Sequence, residues 1–299
     1  MERVRNLSTT GTSNPWFRRS PLVLRAINVH ESIYALPFAY TGMILAARGF
    51  PTWHQFLWIT VAMVSARTVG MSANRIIDRR IDGKNPRTAD RHLPSGRLKV
   101  WDLAVPAAVS LGVFFYAASR LNTLALALAP VAAGYILLYP YTKRFTWASN
   151  LLLGWALAIA PSAAWIGVTG SLSWQPVLLT LAVALWAGSF DVLYHTQDRD
   201  FHTREGLHSV AQRFGVVAAF RWARGLDALA TACLVALGIW MVLPWPYYAG
   251  CILAAALLVY KHRLVSPEDT SRLGMAFFRI NAYVSTTMLA ATLIAVLIS

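Results

Sequence analysis

NRIIDRRIDGKNPRTADRHLPSG, residues 74–96, carries three aspartates, Asp78, Asp82 and Asp90, among six lysine and arginine residues. The segment directly follows a long apolar run, and the whole chain of 299 residues has only thirteen acidic side chains. Carboxylates gathered in so basic a segment indicate either a surface ion-pair network or a binding site. The arrangement of the rest of the chain decides between the two.

The composition is that of a membrane protein. Hydrophobic residues make up 57% of the chain and charged residues 13%, against about 25% charged residues in a soluble domain. Apolar runs of about 18 residues or more recur along its length, which predicts an all-α, polytopic membrane protein. We expect one domain over 1–299, with a basic tail over 1–28 and about nine transmembrane helices. These spans lie near 30–48, 53–77, 101–119, 122–140, 147–168, 173–196, 225–242, 245–260 and 275–298.

Lysine and arginine are distributed unevenly between the gaps that separate these spans. The N-terminal tail holds five, 78–100 holds seven and 197–224 holds five, whereas 169–172 and 243–246 hold none. This alternation follows the positive-inside rule. We therefore expect an integral protein of a bacterial-type inner or plasma membrane, with a cytoplasmic N-terminus and an active site that faces the cytoplasm. Topology also accounts for the net charge of +14, so membrane lipid is an expected partner and nucleic acid is not.

The aspartates are in helical register. Asn74, Asp78 and Asp82 follow at i, i+4 and i+8, so they share one face of a helix that continues from the second span. Aligned carboxylates repel one another unless a cation lies between them, and Mg²⁺ typically uses one or two carboxylates together with substrate phosphates. The arginine neighbours would then bind a multiply charged phosphate. An isolated pair of this kind is more often a surface ion-pair face, so this segment alone leaves both interpretations open.

A second segment, DVLYHTQDRDFHTREGLHS at residues 191–209, repeats the arrangement. Asp191, Tyr194 and Asp198 fall at i, i+3 and i+7 on one helix face. Asp191 lies inside the apolar boundary, where a carboxylate is costly and by default functional. Both segments follow an even-numbered span and precede a basic, glycine-containing loop. They predict two acidic helix ends that face each other across a central cavity, where each could hold Mg²⁺ with a diphosphate between them.

These two segments, with YPYTKRFT at 139–146 between them and HESIYALPFAY at 30–40 before them, resemble the UbiA superfamily of intramembrane prenyltransferases. The resemblance extends from about residue 25 to 298. It implies a nine-helix bundle that opens to the cytoplasm and to lipid, and Mg²⁺-dependent transfer of a polyprenyl group from polyprenyl diphosphate to an aromatic acid. The segments at 74–75 and 35–40 look most like the branch that acts on hydroxybenzoate or dihydroxynaphthoate in ubiquinone and menaquinone synthesis.

The chemistry of an allylic diphosphate gives each candidate residue a role. Mg²⁺ and arginines would stabilise charge on the departing oxygens. The candidate metal ligands are Asp78, Asp82 and Asp198, with Asn74 and Asp191 as further oxygen ligands or supporting partners. The candidates for diphosphate binding are Arg67, Lys143 and Arg144. Tyr139 and Tyr194 could face the allylic cation with their rings, although a tyrosine in an apolar helix is more often a packing residue.

One position departs from the family pattern. The family's second motif normally has an aspartate four residues after the one that matches Asp198, and here that residue is His202. A neutral imidazole is a poor ligand for Mg²⁺, which prefers oxygen. Asp200 can replace the missing carboxylate only if the helix has ended by residue 199. We expect that it does and that Asp200 faces the pocket; otherwise His202 has a role of its own.

Two other classes of membrane protein also use acidic residues. A transporter would be expected to place its charges near the bilayer midplane on broken helices, whereas here they cluster at helix ends. A different Mg²⁺-dependent lipid-phosphate transferase would be expected to hold its metal site within one short motif.

His30 and Glu31, at the entry to the first span, fit an interfacial, solvated pair because adjacent residues on a helix do not face each other.

Overall fold

The structure is a computed structural model and describes residues 15–27 and 32–299, whose regular elements are all helices, with no strand. His30, Glu31 and the first fourteen residues lie outside the described part. The α-helices are α1 Pro15–Ala26, α2 Ser32–Ala47, α3 Trp53–Lys84, α4 Val100–Leu121, α5 Thr123–Leu138, α6 Ser149–Thr169, α7 Gln175–Tyr194, α8 Arg199–Glu205, α9 Val210–Phe214, α10 Val216–Trp240, α11 Trp245–Leu264, α12 Leu273–Met275 and α13 Asn281–Leu297. Two 3₁₀ segments, Tyr139–Arg144 and His195–Asp198, continue α5 and α7, and a π-helical segment, Ala276–Ile280, precedes α13.

The nine predicted spans each coincide with one of these helices. In the described residues, seven helical stretches are long and apolar enough to cross a membrane: Trp53–Lys84, Val100–Leu121, Thr123–Arg144, Ser149–Thr169, Gln175–Glu205, Val216–Trp240 and Leu273–Leu297. The helices at the other two spans are α2, with 16 residues, and α11, whose last turn carries three basic residues. A span needs about 20 apolar residues, so nine crossings stay a prediction.

Helix α3 carries the first aspartate segment because it continues well beyond its apolar part. A capping box fixes its start: Thr52 Oγ1 accepts from the Gln55 backbone N–H at 3.2 Å, and Gln55 Oε1 accepts from the Thr52 N–H at 3.0 Å. Its 32 residues give a length of about 48 Å. The chain turns away at Asn85, which precedes a proline, as expected from the restricted backbone before that residue.

Helix α7 is the most buried of the candidate spans and packs between α6 and α10. Small residues make this possible. A Cβ atom at Gly154 of α6 would lie 2.2 Å from the Ala184 carbonyl oxygen of α7, so glycine is required for the two backbones to approach so closely. Helices α6, α7 and α10 are therefore closely packed, and the second aspartate segment lies at the end of α7.

Candidate active site

A polar cavity of about 480 Å³ lies where α3 and α7 end. It brings together the four carboxylates that the sequence singles out, Asp78, Asp82, Asp191 and Asp198, although the two segments are more than 100 residues apart. All four side chains are buried. Basic residues from four parts of the chain also line the cavity; they are Arg25, Arg75, Arg87, Arg91 and Lys143. Acidic and basic groups therefore line one common space.

Asp78 is held by the residues of the 3₁₀ segment that follows α5. Lys143 Nζ donates to Asp78 Oδ2, and Arg144 Nη2 donates to Oδ1 at 3.3 Å. Asn74 Nδ2, one turn earlier on α3, donates to Oδ2 at 3.3 Å. Arg144 also donates to the Ile77 carbonyl at 3.1 Å. The structure thus brings Asn74, Lys143 and Arg144 to the same aspartate, as expected for residues of one site.

The loop at 85–99 supplies the partners of the other two predicted metal ligands. Arg91 Nη1 donates to both oxygens of Asp82 at 2.8 Å. Arg87 makes a bidentate pair with Asp198, with Nε 2.9 Å from Oδ1 and Nη2 2.5 Å from Oδ2. Asn85 Nδ2 donates to the same Oδ1 at 2.9 Å. The loop that follows one aspartate segment is therefore fastened to the other segment.

Tyr194 lies beside this bidentate pair. Its hydroxyl accepts from Arg87 Nη1 at 3.0 Å, and the guanidinium carbon lies 4.9 Å from its ring centroid. Burial opposes the charge of Arg87, but the hydrogen bonds and the charge of Asp198 outweigh it and raise the Arg87 pKa above its ordinary value. In the same loop, burial and the charges of Arg97, Arg25 and Arg75 lower the pKa of His92. Arg87 is thus a permanent cation at the cavity wall, and His92 is a neutral imidazole at neutral pH.

Asp191 is engaged differently from the other three carboxylates. Asn150 Nδ2, from the first turn of α6, donates to Asp191 Oδ2 at 2.7 Å, and His195 Nδ1 lies 3.2 Å from the same oxygen. Asn150 Oδ1 in turn accepts from the Val210 N–H at 3.1 Å. An amide and an imidazole therefore hold Asp191, where guanidinium and ammonium groups hold Asp78, Asp82 and Asp198.

Asp200 does not face the cavity, so the prediction that it replaces the missing carboxylate is wrong. Its side chain is 87% exposed and pairs with Arg199 at 3.4 Å. The physical reason is that the chain does not leave the helical path: a 3₁₀ turn ends at Asp198 and α8 begins at Arg199. Two residues along a helix correspond to about 200°, which turns Asp200 away from the direction of Asp198. Asp90 is likewise exposed and is not among the residues that line the cavity.

His202, one turn beyond Asp198, lines the cavity in the place of the expected carboxylate. It is buried, and its Nδ1 lies 3.1 Å from Ser209 Oγ. Its ring stacks on that of His195, with centroids 5.7 Å apart. The second segment therefore presents two carboxylates and two imidazoles to the cavity.

Arg67 lies apart from the other residues predicted to bind diphosphate. It lines a second, apolar cavity of about 510 Å³ between α3, α4, α5 and α6, so the structure does not place it with Lys143 and Arg144 beside Asp78. The reason is its position seven residues before Asn74, about 10 Å deeper into the apolar part of α3. Met71 and Tyr139 line both cavities, so the two spaces adjoin and Tyr139 stands at their junction.

Several residues of the cavity were not identified individually from the sequence. Arg87 and Arg91 belong to the quoted basic segment, but their pairing with specific aspartates depends on how the loop folds back. Asn150 could have been identified from the sequence, because it is the one amide side chain in the apolar span at 147–168. His195 follows Asp191 at i+4, which places the two on one helix face. Phe278, from the π-helical segment before α13, also lines the cavity, and no sequence pattern pointed to it.

The donor groups suit a hard divalent cation whose remaining ligands come from a substrate. Within residues 15–27 and 32–299, no three His, Cys, Asp or Glu side chains are grouped closely enough to hold a metal ion by themselves. Mg²⁺ does not need such a group, because it commonly uses one or two carboxylates plus substrate phosphates. Asp78 and Asp82 on α3, and Asp198 opposite them, match that requirement.

Comparison with known proteins agrees with this geometry. The model of the UbiA prenyltransferase family matches residues 35–283. The 4-hydroxybenzoate octaprenyltransferase of Vibrio campbellii is 31% identical over 260 residues, which cover 85% of this chain and 89% of that protein. The enzyme of the same name from Vibrio cholerae is 31% identical over 259 residues, with the same coverage.

Two solved structures are similar along nearly the whole chain. A UbiA homolog from Aeropyrum pernix has a TM-score of 0.80 at 29% identity and covers 89% of this chain and 97% of its own. A UbiA homolog from Archaeoglobus fulgidus, solved with GPP and Mg²⁺, has a TM-score of 0.68 at 15% identity and covers 91% of this chain and 99% of its own. At 15% identity, the similarity to this second structure shows a shared fold and nothing more.

Proposed function

The chain belongs to the UbiA prenyltransferase family, and from this membership we propose that it transfers a polyprenyl group from polyprenyl diphosphate to an aromatic acid. It is a prenyltransferase and an integral membrane protein. The proposed acceptor is of the 4-hydroxybenzoate or dihydroxynaphthoate type, the proposed cofactor is Mg²⁺, and the proposed setting is ubiquinone or menaquinone biosynthesis. The observation that carries the proposal is the junction of a charged cavity with an apolar one at Tyr139.

The charged cavity is suited to the diphosphate. Asp78, Asp82 and Asp198 would hold Mg²⁺, with Asn74 and Asp191 beside them. When bound, Mg²⁺ supplies positive charge to the departing phosphate oxygens. In the structure these carboxylates form ion pairs with Arg87, Arg91 and Lys143. Binding of Mg²⁺ and diphosphate would replace these ion pairs by contacts of the carboxylates with the metal. Released from them, these cations would donate charge-assisted hydrogen bonds to the diphosphate, and Arg144 would do so beside Lys143.

The apolar cavity is suited to the prenyl chain. Its walls are mainly small and aliphatic side chains of four helices, so it can bury an isoprenoid and exclude water from the reactive end. Two of its lining residues, Val131 and Trp155, are 69% and 44% exposed. A tail longer than the cavity can therefore continue between α5 and α6 into lipid. Tyr139, at the junction, would lie beside the allylic carbon, where its ring face could stabilise positive charge.

The acceptor needs a cation for its carboxylate, and we propose Arg67 for this role. Arg67 lines the apolar cavity near the junction rather than the charged cavity. Its guanidinium can therefore bind the carboxylate of an aromatic acid that lies between the two cavities. In the reaction the allylic C–O bond breaks and its electron pair leaves with the diphosphate. A ring carbon of the acceptor forms the new C–C bond and releases its proton.

We propose that the two aspartate segments hold metal unequally. The α3 segment offers Asp78 and Asp82 one turn apart. The second segment offers Asp198, while Asp191 is already engaged by an amide and an imidazole and the next position is His202. An imidazole suits softer metals than Mg²⁺. The second segment would therefore depend more on the phosphate oxygens of the substrate for a complete set of ligands.

The proposed membrane arrangement follows from the basic loops. Residues 1–299 would form one domain with nine crossings, a cytoplasmic N-terminus and a charged cavity that faces the cytoplasm. The loop at 85–99 and the segment at 197–215, which enclose this cavity, carry the basic residues that mark the inner face. The prenyl chain would then reach the site from lipid, and the aromatic acid would reach it from the cytoplasm.

The test is a transfer assay with purified protein in lipid nanodiscs. Polyprenyl diphosphate labelled in the prenyl chain is incubated with Mg²⁺, with and without 4-hydroxybenzoate or dihydroxynaphthoate, and Asp78→Ala serves as the inactive control. A labelled aromatic acid that forms only with acceptor and Mg²⁺ supports the proposal. A labelled product that retains phosphate would identify a lipid-phosphate transferase, and the absence of any covalent product would refute transfer.

A further inference from the structure

A second group of buried charges lies outside both cavities, between α7, α10 and α11. Asp227 of α10 is 3% exposed and Lys261 of α11 is fully buried, with Lys261 Nζ 2.6 Å from Asp227 Oδ2. His262 Nε2 lies 2.7 Å from the same oxygen. Ionisable groups inside a membrane bundle are costly and rare. None of these three lines either cavity, so the proposed reaction gives them no direct part.

The group reaches α7 through one hydroxyl. Lys261 Nζ donates to Ser189 Oγ at 3.4 Å, and Ser189 Oγ donates to the Ala223 carbonyl of α10 at 3.0 Å. Ser189 is fully buried. The ammonium of α11 and the backbone of α10 therefore meet at a single side chain of α7.

The opposite face of α7 lines the charged cavity. Asp191 follows Ser189 by two residues, about 200° around the helix, and its carboxylate lines the charged cavity. Between these points α7 carries the buried rings of Trp186 and Phe190 as well as small residues, and Trp186 Nε1 donates to Asn281 Oδ1 of α13 at 3.1 Å. Ser189 adds the polar contact with α10 and α11 on the side of α7 that lies away from the site. A rotation of α7 would move Asp191 and Asp198 together, because a continuous helical path joins them.

We propose that Ser189, Asp227 and Lys261 are positioning residues. They hold α7 in one orientation about its own axis, so that the second aspartate segment faces the metal-diphosphate complex. This inference rests on the proposed function. A buried ion pair is weak evidence for stability, and its best-attested role is to specify one arrangement of helices. Small displacements of ligands matter because a shift of about 1 Å can reduce a rate about a hundredfold.

The experiment measures ligand binding rather than turnover. Mn²⁺, whose electron paramagnetic resonance signal reports binding, is titrated into purified protein with inorganic diphosphate. Ser189→Ala removes one hydroxyl, and Asp227→Leu with Lys261→Met and His262→Leu replaces the whole buried charged group by apolar side chains, a change that is often neutral for stability. In both variants we expect about a tenfold weaker Mn²⁺-diphosphate complex with a melting temperature near that of wild type.

Thr231→Val is the matched control. Thr231 lies one turn from Asp227 on α10, and its hydroxyl donates to the carbonyl of its own helix, so this variant should bind like wild type. A folded Ser189→Ala protein with wild-type affinity would overturn the inference. Loss of cooperative melting in that variant would also overturn it, since the contact would then support the fold as a whole. A wild-type protein that binds Mn²⁺-diphosphate but makes no prenylated acid would instead refute the proposed function.

Discussion

Replacing Asp198 by asparagine should separate catalysis from stability, because the side chain keeps its shape and loses its charge. Asp198 accepts three hydrogen bonds, one from Asn85 and two from Arg87. An asparagine there would turn its amide N–H₂ toward a donor and lose one charge-assisted bond. That loss costs about 2 kcal/mol, moderated because the Arg87 side chain is 27% exposed and can be solvated.

The effect on turnover should be larger than the effect on stability. Loss of one group that stabilises transition-state charge in a dry site typically costs about 10²–10³-fold, or about 3–4 kcal/mol. We therefore expect turnover of labelled polyprenyl diphosphate to fall at least about a hundredfold, while the melting temperature falls by about 4 °C. Turnover in Asp198→Asn above one tenth of wild type would refute the assignment of Asp198.

Asp200→Asn is the matched control for this experiment. The same chemical change is made two residues away, on a side chain that is 87% exposed and bound to Arg199, and exposed pairs contribute about 0–1 kcal/mol. Turnover and its dependence on Mg²⁺ should stay at the wild-type level. A loss comparable to that of Asp198→Asn would mean that α8 presents Asp200 to the site after all.

Arg67→Ala should raise the KM for the aromatic acid about tenfold or more and leave the KM for polyprenyl diphosphate unchanged. A raised KM for polyprenyl diphosphate alone would show that Arg67 binds the diphosphate instead. His202→Asp should be tolerated or lower the Mg²⁺ concentration needed for half-maximal activity, because it restores a carboxylate opposite Asp78, and an inactive variant would give His202 a role of its own. Cysteines introduced at Ser95 and Ser119 should react with membrane-impermeant reagents from opposite sides, Ser95 from the cytoplasm, and reaction from one side would mean that a span is miscounted.

The sequence was sufficient for those features that repeat along the chain. Apolar runs predicted the helical membrane fold, which is confirmed, and the resemblance to UbiA is confirmed by the family match. The two aspartate segments could be paired from their helical register and from their positions between an even-numbered span and a basic loop, and the structure does bring Asp78 and Asp198 to one cavity. Helical register is a local property, so it can be read from neighbouring residues.

Other features depended on geometry that no local pattern encodes. Whether Asp200 faced the cavity depended on whether the helical path ended by residue 199 or continued through α8 to Glu205, a matter of small differences in backbone energy. The depth of Arg67 placed it in a different cavity from Lys143. The contacts of Arg87 with Asp198 and of Asn150 with Asp191 join residues from different helices, and one sequence gives no measure of such tertiary pairing.

Mass spectrometry of the reaction product tests the central claim most directly. Purified protein in nanodiscs is given polyprenyl diphosphate, Mg²⁺ and 4-hydroxybenzoate deuterated on the ring carbons beside the hydroxyl. The account predicts a product with the mass of the acid plus the prenyl group, with one deuteron lost, formed together with free diphosphate and abolished by a chelator of Mg²⁺. A prenylated acid that retains every deuteron, or release of polyprenol alone, would contradict it.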